Sequence, residues 1–246
     1  MKYFTNSKLI FIFLIFLIIS LTQGLACKYL ELNFCKYGLF VNFWEENGLI
    51  ENMQSLFLVT AIFFLYKARS NFKHIKIINY FITIQFLALI YFLGEEISWG
   101  QHFFNWASPE FFENINNQQE TNLHNISNLF DQLPRTLVLI WCGLTSFCVV
   151  FAKRFINLDK KFLFILCPNI NLIYISSIIL FFVLPDLIVD KFNFHPGHVD
   201  QFGKEITNNI FYDIISFNFV RLSELHELLF TFYFANYAYF LNRKSI

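Results

Sequence analysis

Residues 80–102 read YFITIQFLALIYFLGEEISWGQH, and this stretch decides the fold of the chain. A long apolar run fills its first part, and Glu95, Glu96, Trp99 and His102 follow at its end. Such a run predicts a membrane helix, with the two carboxylates near the point where water and lipid head groups begin. If the helix continues, Glu95, Trp99 and His102 lie on one face at i, i+4 and i+7.

The composition of the whole chain indicates a membrane protein. Of its 246 residues, 56% are hydrophobic and 15% are charged, whereas soluble domains contain about 25% charged residues. The formal net charge is zero, which argues against nucleic acid as a partner and leaves membrane lipid as the expected surrounding.

Apolar runs recur along the sequence without the two-residue alternation of barrel strands. The sequence therefore predicts an all-α, polytopic transmembrane helical bundle of about six spans, as a single integral membrane domain over 1–246. The spans are expected at residues 9–26, 49–66, 78–93 and 136–151, within 162–188, and at 225–241.

Lys and Arg are distributed unequally between the segments that alternate across these spans. Positive residues concentrate in short loops on the cytoplasmic side of membrane proteins. Both termini are therefore predicted to be cytoplasmic, and most acids then lie on the outer side. This places the protein in a bacterial inner membrane with its polar segments facing the periplasm. The predicted inner segments carry Lys2, Lys8, Lys67, Arg69, Lys73, Lys76, Lys153, Arg154, Lys160, Lys161, Arg243 and Lys244.

The first apolar run has two interpretations. Gly24 and Ala26 resemble the small residues that precede a signal-peptide cleavage site. The run is also long enough to span a bilayer, and we expect a retained first helix. Cys27 and Cys35 both fall on the predicted outer side, where a disulfide between them would persist; the spacing allows this bridge without requiring it.

Four side chains are candidate catalytic groups: Glu95, Glu96, His102 and Glu227. A carboxylate inside a membrane usually faces the bundle interior or a wet cavity, so these acids predict an acid–base site. The alternative is that they are solvated at the helix ends. A buried acid kept for chemistry is expected to tolerate replacement by Gln without loss of folding.

A second polar cluster follows at residues 116–125. His102, His124 and Glu120 are candidate ligands of a divalent metal such as zinc, and the polar side chains around them are candidates for binding a head group. Turns and helix caps in the loop, and Trp anchors at the interface, are the alternative interpretations. The candidate substrate-binding residues are Trp99, Gln101, Gln118, Glu120, Asn122 and Asn125.

The chain resembles an uncharacterised family of bacterial multi-pass membrane proteins. The resemblance is carried by Glu-Glu-x-Ser-Trp-Gly-Gln, here residues 95–101, and by Asn-Leu-His-Asn, here residues 122–125. It implies a multi-pass membrane fold and supplies no activity.

More distantly, the chain is similar to alkaline ceramidase-like membrane hydrolases. The likeness lies in the acidic opening Glu45-Glu46-Asn47 and in His residues near one membrane face, and it implies zinc-dependent hydrolysis of a lipid. The chain departs from that group because its last apolar run contains His226 alone, without a His-x-x-x-His pair.

These observations leave three classes of function open. The first is a metal-dependent hydrolase or transferase that acts on a lipid or lipid-linked substrate at the outer membrane face. The second is a cation- or proton-coupled transport or binding protein, although the spans lack a mid-membrane acid. The third is a membrane assembly partner without catalysis.

Overall fold

Helices form nearly all of the structure that surrounds the motif at 95–101. A computed structural model describes residues 4–29, 43–44, 48–104, 106–115, 121–123, 126, 128–155, 160–191, 217 and 219–243. No strand occurs in these ranges, so the predicted all-α class is confirmed for the described part of the chain.

Ten α-helices follow one another along the described residues. They are α1 (Phe4–Tyr29), α2 (Leu49–Asn71), α3 (Lys76–Glu96), α4 (Gln101–Phe104), α5 (Glu110–Ile115), α6 (Asn128–Leu139), α7 (Thr145–Phe155), α8 (Lys160–Leu166), α9 (Leu172–Lys191) and α10 (Leu222–Asn242). A short 3₁₀ turn, Ser98–Gly100, lies between α3 and α4, and a π-helical turn, Ile140–Leu144, joins α6 to α7.

Four helical stretches are long and apolar enough to cross a membrane: Lys8–Tyr29, Leu49–Asn71, Lys76–Glu96 and Leu133–Ala152. They coincide with the first four predicted spans and are what an integral membrane protein requires. In α9 the apolar part, Leu172–Pro185, is shorter. Helix α10 covers the sixth predicted run.

The chain divides into two compact units. One contains Met1–Glu51 and Ser177–Leu229, and the other contains Asn52–Ser176 and Phe230–Ile246. Each unit is described by itself below. The single integral membrane domain stays a prediction.

Helix α1 is packed into the first unit through one face. Its buried residues recur every three or four positions, as in a helix that packs along one stripe. The indole Nε1 of Trp44 donates to the Ser20 carbonyl oxygen at 2.9 Å. A Cβ atom on Gly24 would lie 2.7 Å from Val220, so this glycine allows a close approach. The buried stripe is Ile10, Phe13, Leu17, Ser20 and Gly24.

The C-terminal end of α1 carries a cross-link. Cys27 is disulfide-bonded, whereas Cys142, Cys148 and Cys167 are free thiols. Its predicted partner, Cys35, lies outside the described residues.

Helix α10 is buried over most of its length. Every residue at positions 228–238 is buried, as expected for a helix that neighbours surround on all sides. In the second unit, Phe232 packs edge-on against Phe57 of α2 at 5.3 Å between ring centroids. The Tyr237 hydroxyl donates to the Ile165 carbonyl oxygen of α8 at 2.6 Å, and Tyr233 is bonded to Ser146 of α7 at 3.1 Å.

The π-helical turn links α3 to the same core. Trp141 lies 5.6 Å from Phe81 of α3 and 6.0 Å from Tyr237 of α10, measured between ring centroids. The Ser176 hydroxyl donates to the carbonyl oxygen of Cys142 at 2.5 Å. This hydroxyl bond ties α9 to the π-helical turn.

We predict that α1 stays in the mature protein. Cleavage after Ala26 would remove the buried stripe, including Phe13 and Leu17, and with it the Ser20 carbonyl oxygen that accepts from the buried Trp44 indole. The mass of protein extracted from the membrane should therefore include α1. A mature N-terminus at Cys27 would contradict this prediction.

Candidate functional site

The chain makes a left-handed turn where α3 ends. Ser98, Trp99 and Gly100 have φ angles of 45°, 54° and 98°. Positive φ is rare for a bulky side chain and costs about 1–2 kcal/mol per non-glycine residue. The helical face considered for Glu95, Trp99 and His102 therefore does not form, because these dihedrals end the regular helical path beyond Glu96. Surrounding contacts have to hold such a turn in place.

Glu95 provides two of those contacts. Its side chain is only 4% exposed. One carboxylate oxygen, Oε1, accepts from the indole Nε1 of Trp99 at 2.9 Å, and Oε2 accepts from the backbone N–H of Leu123 at 2.6 Å. Hydrogen bonds to a carboxylate are stronger than bonds between neutral groups. Glu95 thus ties the turn to a segment of chain 28 positions later.

Two further side chains of the motif hold the same segment. The Asn122 amide donates to Ser98 Oγ at 3.2 Å. Gln101 Oε1 accepts from the backbone N–H of Thr121 at 2.8 Å, and its Nε2 donates to Ser108 Oγ at 3.0 Å. These residues are here called the Glu95 cluster, which comprises Glu95, Ser98, Trp99, Gln101, Ser108, Thr121, Asn122 and the backbone of Leu123.

Gly94 provides room for the Trp99 ring. A Cβ atom at position 94 would lie 2.9 Å from three atoms of the indole, so only glycine lets the ring lie across the last turn of α3. Tyr91, one turn earlier, contacts the same ring edge-on at 6.1 Å between centroids. The Trp99 side chain is still 46% exposed on its other side.

The cluster orients groups of several chemical kinds. Glu95 brings a carboxylate, Gln101 and Asn122 bring amides, and Ser98 and Ser108 bring hydroxyl groups. Both Glu95 oxygens accept hydrogen bonds from N–H groups. The carboxylate therefore positions the chain around it. The other polar groups are of the types that recognise head groups or substrates in binding sites.

Some predicted site residues meet in the structure. Glu95, Trp99, Gln101 and Asn122 belong to one hydrogen-bonded cluster, and Glu96 is half-buried next to it in sequence. Sequence reasoning missed Ser98, Ser108, Thr121 and the Leu123 amide. Ser98 stood inside the first motif, and Thr121 and Leu123 stood inside the polar cluster at 116–125, whereas Ser108 belonged to neither.

Other predicted site residues are not described by the structure. Gln118, Glu120, His124 and Asn125 lie outside the described residues, as does the side chain of His102, whose backbone is in α4. All three predicted metal ligands are in this group. Among the residues that the structure does describe, no group of three or more His, Cys, Asp or Glu side chains could hold a metal ion.

Glu227 lies in the first unit, while the Glu95 cluster lies in the second. Its side chain is half-buried in the first turns of α10. One turn earlier, Glu224 makes an ion pair with Arg221 at 3.6 Å, at the helix N-terminus, where the macrodipole favours an acid. The convergence of Glu227 with Glu95 stays a prediction.

Comparisons with protein-family models, with curated proteins and with solved structures give no significant match.

The cluster geometry predicts the effect of Glu95→Gln on stability. The new side chain has one acceptor oxygen, so its NH₂ group faces either the Leu123 N–H or the Trp99 N–H. One hydrogen bond to a charged acceptor is then lost, and such a bond is worth about 1.5–3 kcal/mol. Thermal unfolding in detergent should therefore show a lower midpoint for Glu95→Gln than for the matched variant Glu96→Gln. The expectation that Gln is tolerated by folding is thereby revised for Glu95.

A Trp99→Phe background provides the control for this interpretation. It removes the indole N–H, so the Gln side chain can turn its oxygen to Leu123 without opposing a second donor. Glu95→Gln should then cost less than in the native background. An equal cost in both backgrounds would show that the bond from Trp99 to Glu95 is not part of the effect.

Proposed function

We propose that the chain is a multi-pass inner-membrane protein of about six spans with both termini in the cytoplasm. Four apolar helices support the first four spans, and α9 and α10 serve as the fifth and sixth. The disulfide at Cys27 supports an oxidising compartment at the C-terminal end of α1, which agrees with the distribution of Lys and Arg. In this topology the Glu95 cluster faces the periplasm.

We further propose that the Glu95 cluster supports a metal-dependent hydrolase or transferase site for a lipid or lipid-linked substrate. One observation carries this proposal: motif side chains fasten residues 121–123 to the turn at 98–101. In sequence, His102 directly follows Gln101, Glu120 directly precedes Thr121 and His124 directly follows Leu123. Each proposed ligand is thus adjacent in sequence to a residue that these hydrogen bonds hold in place.

The roles follow from these positions. His102, His124 and Glu120 would hold the divalent metal, zinc or manganese, which would supply Lewis-acid chemistry to activate water and polarise the bond to be cleaved. Glu96 is the proposed acid–base group. Glu95 positions the loop, because both of its oxygens are already engaged by N–H donors.

The head group of the substrate is proposed to bind the polar side chains around this centre, namely Trp99, Gln101, Gln118, Asn122 and Asn125. The resemblance to the uncharacterised bacterial membrane family is part of the proposal and agrees with this placement, since both of its motifs fall on the fastened segments.

Topology is tested with a reporter that is active only in the cytoplasm. Fusions after Arg69, Arg154 or Lys244 should be active because they follow predicted inner segments. Fusions after Ser108 or Lys204 should be inactive. The reverse pattern would place the Glu95 cluster on the cytoplasmic side and would remove the basis for a periplasmic site.

Metal binding is tested on purified protein by elemental analysis before and after treatment with a chelator. We expect bound zinc or manganese in the native protein and its loss in His102→Ala and His124→Ala. His74→Ala is the matched control, since His74 is exposed at the other end of α3 and should not affect the metal content. Protein that folds normally and binds no divalent metal would contradict the metal-dependent mechanism.

A further inference from the structure

Two stacked aromatic rings cover the turn that follows α3. The ring centroids of Phe104 and Trp106 are 5.9 Å apart, with an interplanar angle of 8°. A Cβ atom on Gly100 would lie 3.1 Å from Trp106 and 3.3 Å from Phe104, so both rings rest directly on this glycine. Their other faces are open, with 76% of Phe104 and 41% of Trp106 exposed.

An exposed apolar stripe on α3 leads up to these rings. Its members recur every three or four residues and therefore lie on one side of the helix. Tyr91, the last member, touches Trp99, and Gly100 directly follows Trp99 in the turn. The stripe consists of Ile77, Tyr80, Ile84, Leu87 and Tyr91. Trp99, Phe104 and Trp106 are here called the aromatic cap.

The Glu95 cluster includes residues on both sides of the two stacked rings in the sequence. Gln101 is hydrogen-bonded to Ser108 and to Thr121, so a residue before Phe104 and a residue after Trp106 are tied to each other. Exposed aromatic area of this kind is unfavourable in water by about 25 cal/mol per Å² and indicates a contact surface.

We propose that the aromatic cap is a membrane anchor that lies in the head-group layer of the leaflet where α3 ends. Lipid is the occupant because the cap continues the exposed stripe of a helix that is apolar and long enough to cross the bilayer. Trp is suited to this depth, since its ring is apolar and its N–H is polar. The anchor sets the depth of the Glu95 cluster, and so brings lipid head groups within reach of the proposed site.

This inference rests on the membrane span of α3 and not on catalysis. If the cap lies at head-group depth and the protein binds no metal, the metal-dependent enzyme is contradicted and the membrane anchor is supported. Conversely, if the protein binds a metal and the cap faces water, only the membrane anchor is contradicted.

Fluorescence quenching in reconstituted vesicles tests the depth of the cap. The vesicles contain phosphatidylcholine brominated either near the carbonyl end or near the methyl end of the acyl chain, and iodide serves as the aqueous quencher. The native protein is compared with Trp106→Phe, which keeps an aromatic ring at the cap. Trp141→Phe is the control, because Trp141 packs against Phe81 and Tyr237 inside the second unit.

We expect Trp106→Phe to remove a component of the emission that carbonyl-end bromine quenches more strongly than methyl-end bromine. Trp141→Phe should leave that component in place. The anchor is overturned if the Trp106 component is quenched by iodide and not by bromolipid, or by neither quencher. It is also overturned if methyl-end bromine is the stronger quencher. A second variant, Phe104→Ser, should weaken the carbonyl-end quenching of Trp106 by removing its stacking partner.

Discussion

The bond from the Leu123 amide to the Glu95 carboxylate is the interaction on which the structure around the motif depends. A carboxylate taken out of water costs several kcal/mol unless donors replace the lost hydration. Here the indole of Trp99 and the backbone of Leu123 supply two such donors. The same bonds hold two strained residues, Ser98 and Trp99, in positive φ. Burial of the acid, the left-handed turn and the return of the chain are therefore one coupled arrangement.

This arrangement needs α3 to be held in place, and packing near the opposite end of that helix contributes to this. Phe81 of α3 packs on Trp141, and Trp141 packs on Tyr237 of the buried helix α10. Tyr237 is anchored in turn through its hydroxyl to the Ile165 carbonyl oxygen. In apolar surroundings such bonds are retained because an unpaired hydroxyl would be costly. The core thereby limits movement of the helix that presents Glu95 and the aromatic cap.

Part of this structure could be predicted from the sequence. Long apolar runs between charged segments predicted the helices. The length and composition of a run decide whether it can cross a membrane as a helix. The meeting of Glu95 and Trp99 was expected, but for the wrong reason. A helical face was assumed, whereas the contact is made through a turn that reverses the sign of φ. Periodicity carries no information about that sign, and Gly100 was the only local hint of it.

The partners on the returning segment were harder to foresee. Ser108 and Thr121 have no distinctive spacing from Gln101, because their contacts depend on where a long connection comes back to α3. The expected effect of Glu95→Gln on stability also depends on this returning segment, because Leu123 is one of the two donors to the carboxylate. An isolated acid is expected to tolerate Gln, whereas an acid that accepts two N–H donors is expected to lose one of these bonds on replacement.

Hydrogen exchange at the Thr121 and Leu123 amides tests the central claim most directly. Both N–H groups are donated to motif side chains, Gln101 and Glu95 respectively. In membrane-reconstituted protein, the peptide that contains these amides should exchange much more slowly than the same peptide in the unfolded chain. Exchange at the unfolded rate would contradict the account, because the segment would then not be fastened to the end of α3.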